Sequence, residues 1–466
     1  MRIDVAIIGG GVSGLAAAYE LRKRGRKVVV LERQARPGGN AVSERIDGFL
    51  MEHGPSTVAA TAQDALRIAG ELGLDDDRRE LSSDVKQRYL VGGGRLQGIP
   101  TGPTGFLRSN YMSVPGRLRL MVEGLVPRGK NVANETVADF CARRFGREFT
   151  ERVMDPLIAG IYAGRADELS VAAVFSKLVD LEQKYGSVTR GMAARVREGA
   201  RMPGSRFFSW RDGVGSLPRA LASALGEDLQ TNVAVLGLER SGDGFELETT
   251  AGKISAKAVI VATQPHVAAQ LLEGVDAEAT DALGGIAAPP MAVAFLGYRK
   301  VDVEHPMDGL GFLSAQSERR TLNGAQFTST MFADRAPEGF VSISCYFGGA
   351  RRPELAACSA DELIHLARTE LFDLLGARGE PVISKVRHWP RGLPAYELGH
   401  TDKVEQLKTL SDRQPGLFIT GNHMTGVSVE MCTALANKTA AGVDYYLANM
   451  AGNAEPIEAN PRVGTA

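Results

Sequence analysis

The chain opens on a strand, a glycine turn, a helix and a second strand ending in a carboxylate, an order that few folds accommodate. Ile3 to Ile8 reads as a short buried strand, with Val5, Ile7 and Ile8 branched at Cβ. Gly9-Gly10-Gly11-Val12-Ser13-Gly14 follows at once, and a helical pattern runs from Ser13 to about Arg24 with Leu15, Ala18 and Leu21 on one face. Lys27 to Leu31 is the next strand, and Glu32 closes it, 18 residues beyond Gly14. Gly9 permits the tight turn, Gly11 lets a diphosphate approach the backbone, and Gly14 lets the helix pack closely on the strand. The helix start, with Ser13, offers N–H groups and a positive dipole end to phosphates. Glu32 is placed to accept hydrogen bonds from ribose hydroxyls. A bare G-x-G-x-x-G is a weak signal. Strand, helix, strand and acid in order predict a dinucleotide cradle.

With 466 residues the chain is too long for one ordinary core, so two or three domains are expected. The formal net charge of -1 supplies no global field, and nucleic acid is not an expected partner. Cys141, Cys345, Cys358 and Cys432 form no C-x-x-C pair, and the seven histidines lack metal-ligand spacing. That excludes a metal site or disulfide framework as the organising feature and suits a reducing, cytoplasmic compartment. Val5 to Tyr19 is apolar enough for a signal-peptide core. Its four glycines and the single preceding Arg2 make that the weaker reading.

The residues after Glu32 separate the dinucleotides. Glu32-Arg33-Gln34-Ala35-Arg36-Pro37-Gly38-Gly39 resembles the second glycine signature of the amine-oxidase-like flavoproteins. The resemblance implies FAD, with Arg33, Arg36, Gly38 and Gly39 near it. At the far end, Pro415 to Asn422 reads as a strand leading into the Gly421 turn, and Ser428 to Tyr446 reads as a helix. In such flavoproteins this segment, here Val427, Ser428 and Val429, closes over the flavin, and the helix dipole stabilises its reduced anion. Between them, Val233 to Arg240 and Phe245 to Thr250 flank a hairpin turn, and Lys257 to Thr263 is a buried strand. Gly54 and Val233 are further expected cofactor contacts.

Several segments narrow the likeness: Asp155-Pro156-Leu157-Ile158-Ala159-Gly160-Ile161-Tyr162-Ala163-Gly164, Glu168-Leu169-Ser170, Gly309 to Leu313, Met331 to Pro337, Gly348-Gly349-Ala350 and Gly421-Asn422-His423. Together they resemble the oxygen-dependent protoporphyrinogen IX oxidase family, in order from Met1 to about Leu447. The implied class is α/β. A discontinuous Rossmann-like FAD domain (1–60, 213–275, 395–448) joins a mixed-sheet substrate domain (61–89, 276–394) and a helical, membrane-associating domain (90–205). A disordered tail (449–466) follows.

The implied reaction aromatises a porphyrinogen by successive hydride transfers from bridging carbons to flavin N5, with O2 reoxidising the flavin to give H2O2. No catalytic side chain is required, and the backbone near Gly160 and Gly164 flanks the reacting ring. Arg88 falls where the family places its propionate-binding arginine, and a guanidinium pairs bidentately with a carboxylate. Leu313, Gln326 and Tyr346 fall at positions that pack on the macrocycle. Relatives there often carry Leu and Phe for Gln326 and Tyr346, so this pocket is more polar. Ser56 stands where many relatives have Asn. His423 reads as a flavin-side packing or hydrogen-bonding residue rather than a base.

Pro115 to Gly129 carries Leu118, Leu120, Met121, Leu125 and Val126 among arginines, and reads equally as an amphipathic surface helix or a core-facing one. The resemblance implies peripheral attachment to the inner face of the cell membrane and leaves a homodimer open. Three alternatives stand beside protoporphyrinogen. They are coproporphyrinogen III, an amine or polyene substrate resting on the shared FAD signatures alone, and a flavin-free binder. Aromatics at 6% show no clear amine cage.

Overall fold

The computed structural model describes residues 3–99, 111–198, 207–450 and 452. Strands β1 (Ile3–Ile8) and β2 (Val28–Glu32) pair in parallel around helix α1 (Val12–Lys23), as the pattern predicts. A hairpin of β3 (Ser43–Ile46) and β4 (Phe49–Glu52) follows. A small sheet joins β5 (Val58–Ala59), β6 (Arg78–Glu80) and the later β9 (Phe207–Trp210). Strands β7 (Gln87–Gly92) and β8 (Arg95–Ile99) enter a different sheet altogether.

The nucleotide sheet is completed from remote sequence. β10 (Leu229–Thr231) lies beside β2, and β13 (Gly252–Val261) lies on the other side of β1. β12 (Gly244–Thr249) and β11 (Val235–Ser241) extend beyond β13, while β19 (Leu417–Ile419) pairs with its far end in parallel. Val5, Ile7, Ile260 and Leu15 form one apolar layer, and Ala6, Ile8, Val259 and Leu417 the other. A sheet buried on both faces needs such continuous apolar strands.

The second sheet has the order β18 (Ile383–Trp389), β14 (Met291–Arg299), β17 (Phe340–Gly348), β16 (Gly324–Phe327), β15 (Gly309–Leu313), β7, β8. Helix Ala360–Leu375 covers one face, burying Tyr89, Phe312, Ala325 and Cys345 beneath it. A third core gathers Val137, Phe140, Ile158 and Leu181 from the helices between 114 and 198. No helix among the described residues is long and apolar enough to cross a membrane.

Three expected boundaries shift. Ala62, Ala65 and Ile68 pack with Val5 and Leu15, so helix Gln63–Glu71 belongs with the nucleotide core rather than with a substrate unit starting at 61. Helix Ala277–Gly284 likewise packs under the nucleotide sheet, and the second sheet resumes only at Met291. The C-terminal helix runs Val429–Met450, so the tail expected from 449 begins inside it. Residues 451 and 453–466 of that tail lie outside the described residues.

The stretch expected as one helix to Gly129 is two pieces, a helix at Val114–Met121 and a 3-10 turn at Glu123–Leu125. The break has a physical cause. Glu123 turns inward and is fully buried, accepting from Arg144 Nε at 2.6 Å, Ser187 Oγ at 2.6 Å and Val188 N at 3.1 Å. Arg144, also fully buried, reaches Glu182 as well, which in turn takes Arg143 at 2.7 Å. Burial alone would raise Glu123, yet the hydrogen bonds from Ser187, Thr189 and Arg144 hold it below the usual carboxylate range.

Candidate functional site

The cradle forms where β1 ends. Gly9 has φ +109°, and a side chain there would press on the Ala262 carbonyl. A methyl at Gly14 would overlap the Gly9 carbonyl oxygen, so α1 sits as close to β1 as backbone allows. Gly11 differs: its Cβ direction is open, with nothing nearer than Gly39 Cα at 4.0 Å. Gly38 and Gly39, both at positive φ, bring the second glycine loop alongside, and Gly38 N donates to Gly10 O at 2.8 Å. No side chain caps α1, so its first N–H groups face this opening. The open Cβ direction at Gly11 leaves its backbone approachable, as a diphosphate requires. Ser13 is buried at the helix start and hydrogen-bonds Cys432, joining α1 to the C-terminal helix.

Glu32 is buried and accepts from Gly10 N and Gln34 N, each at 2.8 Å. It therefore holds the turn, and its remaining lone pairs stay available to a ribose. Val233 N donates to the Glu32 carbonyl at 2.9 Å. Glu32→Ala removes charge-assisted bonds worth about 1.5–3 kcal/mol each. FAD affinity is expected to fall on the order of tenfold or more. Flavin fluorescence released on dilution measures it, and a variant that keeps its flavin when dilute would contradict the role.

Arg33 is exposed and faces His266. Arg36 donates to Gly39 O at 3.3 Å, while its Nη2 is buried without a partner. Burial, then the neighbouring Arg387, push the Arg36 guanidinium below its ordinary value. Gly54 is pinned, because a side chain would overlap the Asn40 carbonyl, and Ser56 is buried next to it in sequence.

The far segment closes the site. Gly421 at φ +148° precedes a short turn, Asn422–Thr425, and Val427, Ser428 and Val429 lead into the last helix. Ser428 Oγ accepts from Met431 N at 3.1 Å. His423 is fully buried with both ring nitrogens unpartnered, and its carbonyl accepts from His400 Nε2 at 2.9 Å. Burial pushes His423 down to about 3, so its ring is neutral at neutral pH.

The face of the second sheet opposite helix Ala360–Leu375 meets the glycine loops at its β18 end, where Trp389 bonds His53 O and Arg387 acts on Arg36. Register places Arg387 opposite Val293, Val293 opposite Tyr346, Tyr346 opposite Gly324, Gly324 opposite Leu313, and Leu313 opposite Leu90. Paired residues share a face, so Arg88, Leu313, Gln326 and Tyr346 look the same way. Sheet register thus sets on one face four of the five residues expected to line the substrate, and Ser56, the fifth, lies outside this sheet. Arg88 Nε is buried without a partner, and burial lowers its pKa. Tyr346 donates to Gln326 Oε1 at 2.8 Å, which leaves the Gln326 amide N–H groups free to donate elsewhere. Gly160 is exposed at the end of helix Asp155–Tyr162, and a side chain there would overlap Leu313. Gly164 packs instead on Leu169, which sets it in the helical core.

Sequence reasoning missed Trp389, whose indole donates to His53 O at 2.8 Å, and Arg387, stacked 4.4 Å above it. Only the register of β18 turns these two inward. It also missed Glu52, which burial pushes up to about 7 against the pull of Arg335 and of hydrogen bonds from Ser43 and Val214. Among the described residues no group of side chains could hold a metal ion.

Known proteins fit this geometry. The family model described as flavin containing amine oxidoreductase matches residues 12–443. The chain is 31% identical to a chloroplastic protoporphyrinogen oxidase of Oryza sativa subsp. japonica, across 96% of this chain and 89% of that protein. It is 26% identical to the coproporphyrinogen III oxidase of Bacillus subtilis (strain 168), across 92% and 95%. A crystal structure from Exiguobacterium sp. 255-15 shares the fold, with a TM-score of 0.81 at 23% identity, covering 95% of this chain and 99% of that one. The chain belongs to the flavin containing amine oxidoreductase family and is an FAD-dependent oxidoreductase.

Proposed function

We propose that this chain oxidises protoporphyrinogen IX to protoporphyrin IX in tetrapyrrole biosynthesis, with molecular oxygen as the final acceptor. The observation that carries the reading is Arg88, a half-buried guanidinium with an unpartnered nitrogen on the same sheet face as Leu313. An apolar tetrapyrrole ring edged with carboxylates matches such a face. The cradle over Gly11, the orphaned Arg36 nitrogen and the acid at Glu32 fit FAD. When bound, FAD supplies the two-electron acceptor chemistry that no side chain here provides. Arg88 anchors a propionate, and Leu313, packed against Gly160, meets the macrocycle. The names and high coverage of the porphyrinogen-oxidising relatives support the same reading.

Purified yellow protein should turn non-fluorescent porphyrinogen into fluorescent porphyrin while consuming oxygen. Failure on both proto- and coproporphyrinogen, with FAD fully bound, would refute the proposal. Arg88→Ala is expected to raise KM roughly tenfold or more with a smaller change in kcat, because propionate pairing is mostly uniform binding. An unchanged KM removes Arg88 from the substrate site. Coproporphyrinogen III is the second reading, favoured by the Tyr346–Gln326 pair, whose free amide N–H groups suit an added carboxylate. Side-by-side turnover of the two substrates decides between them.

We further propose that the protein docks peripherally on the inner face of the cell membrane through helix Val114–Met121 and the following turn. Leu118, Met121 and Leu125 are 57%, 68% and 78% exposed there. Such an apolar edge among arginines inserts into an anionic interface. Leu118→Ser with Leu125→Ser is expected to cut sedimentation with anionic vesicles about tenfold. Absence of wild-type binding to those vesicles would sink the idea.

A further inference from the structure

Two arginines approach each other where the second glycine loop meets the second sheet. Arg36 belongs to the glycine loop after β2, whose Gly39 packs on Gly11. Arg387 belongs to β18, at the edge of the second sheet. Its guanidinium stacks 4.4 Å above the Trp389 ring. Trp389 is itself fixed, donating to His53 O at 2.8 Å. His53 is followed by Gly54, which packs on Asn40, the residue after Gly39. This chain of contacts sets Arg387 against the loop that holds Arg36.

Neither guanidinium has a salt bridge among the described residues. Arg36 Nη2 and Arg387 Nε are both buried without a hydrogen-bond partner. His53 lies between them, and its own carboxylate, Glu44, is engaged with His53 Nε2 at 2.9 Å. Two like charges held together in a half-buried site call for an anion carrying more than one charge. The open Cβ direction of Gly11 and the uncapped start of α1 adjoin the loop of Arg36, because Gly39 packs on Gly11.

We propose that Arg387 is a ligand of the FAD diphosphate, forming with Arg36 a two-guanidinium clamp across the two sheets. The clamp makes FAD a tie between the nucleotide and substrate halves. This rests on the FAD assignment, which the colour of the wild-type protein and the flavin it releases on denaturation check independently.

The test uses the holoenzyme diluted through a concentration series, with released flavin fluorescence giving the FAD Kd at several salt concentrations. Arg387→Gln is expected to raise Kd on the order of 10- to 100-fold, and to flatten its rise with salt, because one screened cation is gone. Arg387→Lys, which keeps the charge and loses the stacking, is expected to recover part of the affinity and most of the salt dependence. A merely structural role would not restore the salt dependence with lysine. An unchanged Kd in Arg387→Gln overturns the proposal. So does an unchanged Kd with a raised KM for the porphyrinogen, which would make Arg387 a substrate residue. Should Arg387→Gln fail to fold, Arg387→Lys with wild-type Kd but no salt dependence would overturn it equally.

Discussion

Gly14→Ala is expected to yield a colourless, less stable protein. Its added methyl would overlap the Gly9 carbonyl oxygen, and Ala262 Cβ closes the other side at 3.2 Å. Backbone cannot swing away as a side-chain tip can, so α1 must shift off β1. Overpacking of this kind costs about 1–3 kcal/mol even where neighbours yield, and here the same shift spoils the phosphate cradle. Gly11→Ala is the informative control. Its methyl meets nothing nearer than 4.0 Å, so the fold should tolerate it while the diphosphate loses its closest approach. Thermal melting in the absence of added FAD, paired with flavin content after purification, separates the two effects. A yellow Gly14→Ala protein with wild-type melting would show that α1 does not sit where this packing puts it.

Glu123→Ala is expected to cost about 3–5 kcal/mol, because it leaves Arg144 charged, buried and without its main partner. The loss should be felt first in the helices between 114 and 198, where Glu123, Arg144, Glu182 and Arg143 knit three segments together. Denaturant unfolding and limited proteolysis of that region measure it. Replacing Glu123 and Arg144 together by apolar residues of similar volume should destabilise less than Glu123→Ala alone, since no unpaired charge remains. Equal losses would mean that the pair itself, rather than an orphaned cation, carries the stability.

Local periodicity made the nucleotide half readable. β1, α1 and β2 depend on contacts within thirty or so residues, and the strand at 257–263 is a continuous apolar run, so each announces itself. The glycine roles were readable for the same reason, since turn chemistry is local. Other features depend on pairing across long separations. Glu123 and Arg144 look like any charged pair until the fold buries both, and nothing local says that Glu123 ends a helix. Arg387 faces the cleft only because β18 pairs with β14 in one register, and a slip of one residue would aim it the other way. The Tyr346–Gln326 hydrogen bond likewise exists because β16 and β17 are neighbours. The family resemblance pointed to Arg88 and Leu313 without any of this, and it marked Gln326 and Tyr346 as departures without saying that they bond each other.

The nucleotide sheet has a consequence for how the molecule is made. β1 leaves the ribosome some two hundred and fifty residues ahead of its neighbour β13, and further still ahead of β19. During synthesis β1 and α1 therefore wait half-covered, their apolar edge a hazard that chaperones must mask. Flavin capture has to wait for β19 and helix Val429–Met450, whose Cys432 bonds Ser13 at the start of α1. Cells short of flavin would be left with finished but unlatched chains, and those are the molecules proteases should find first.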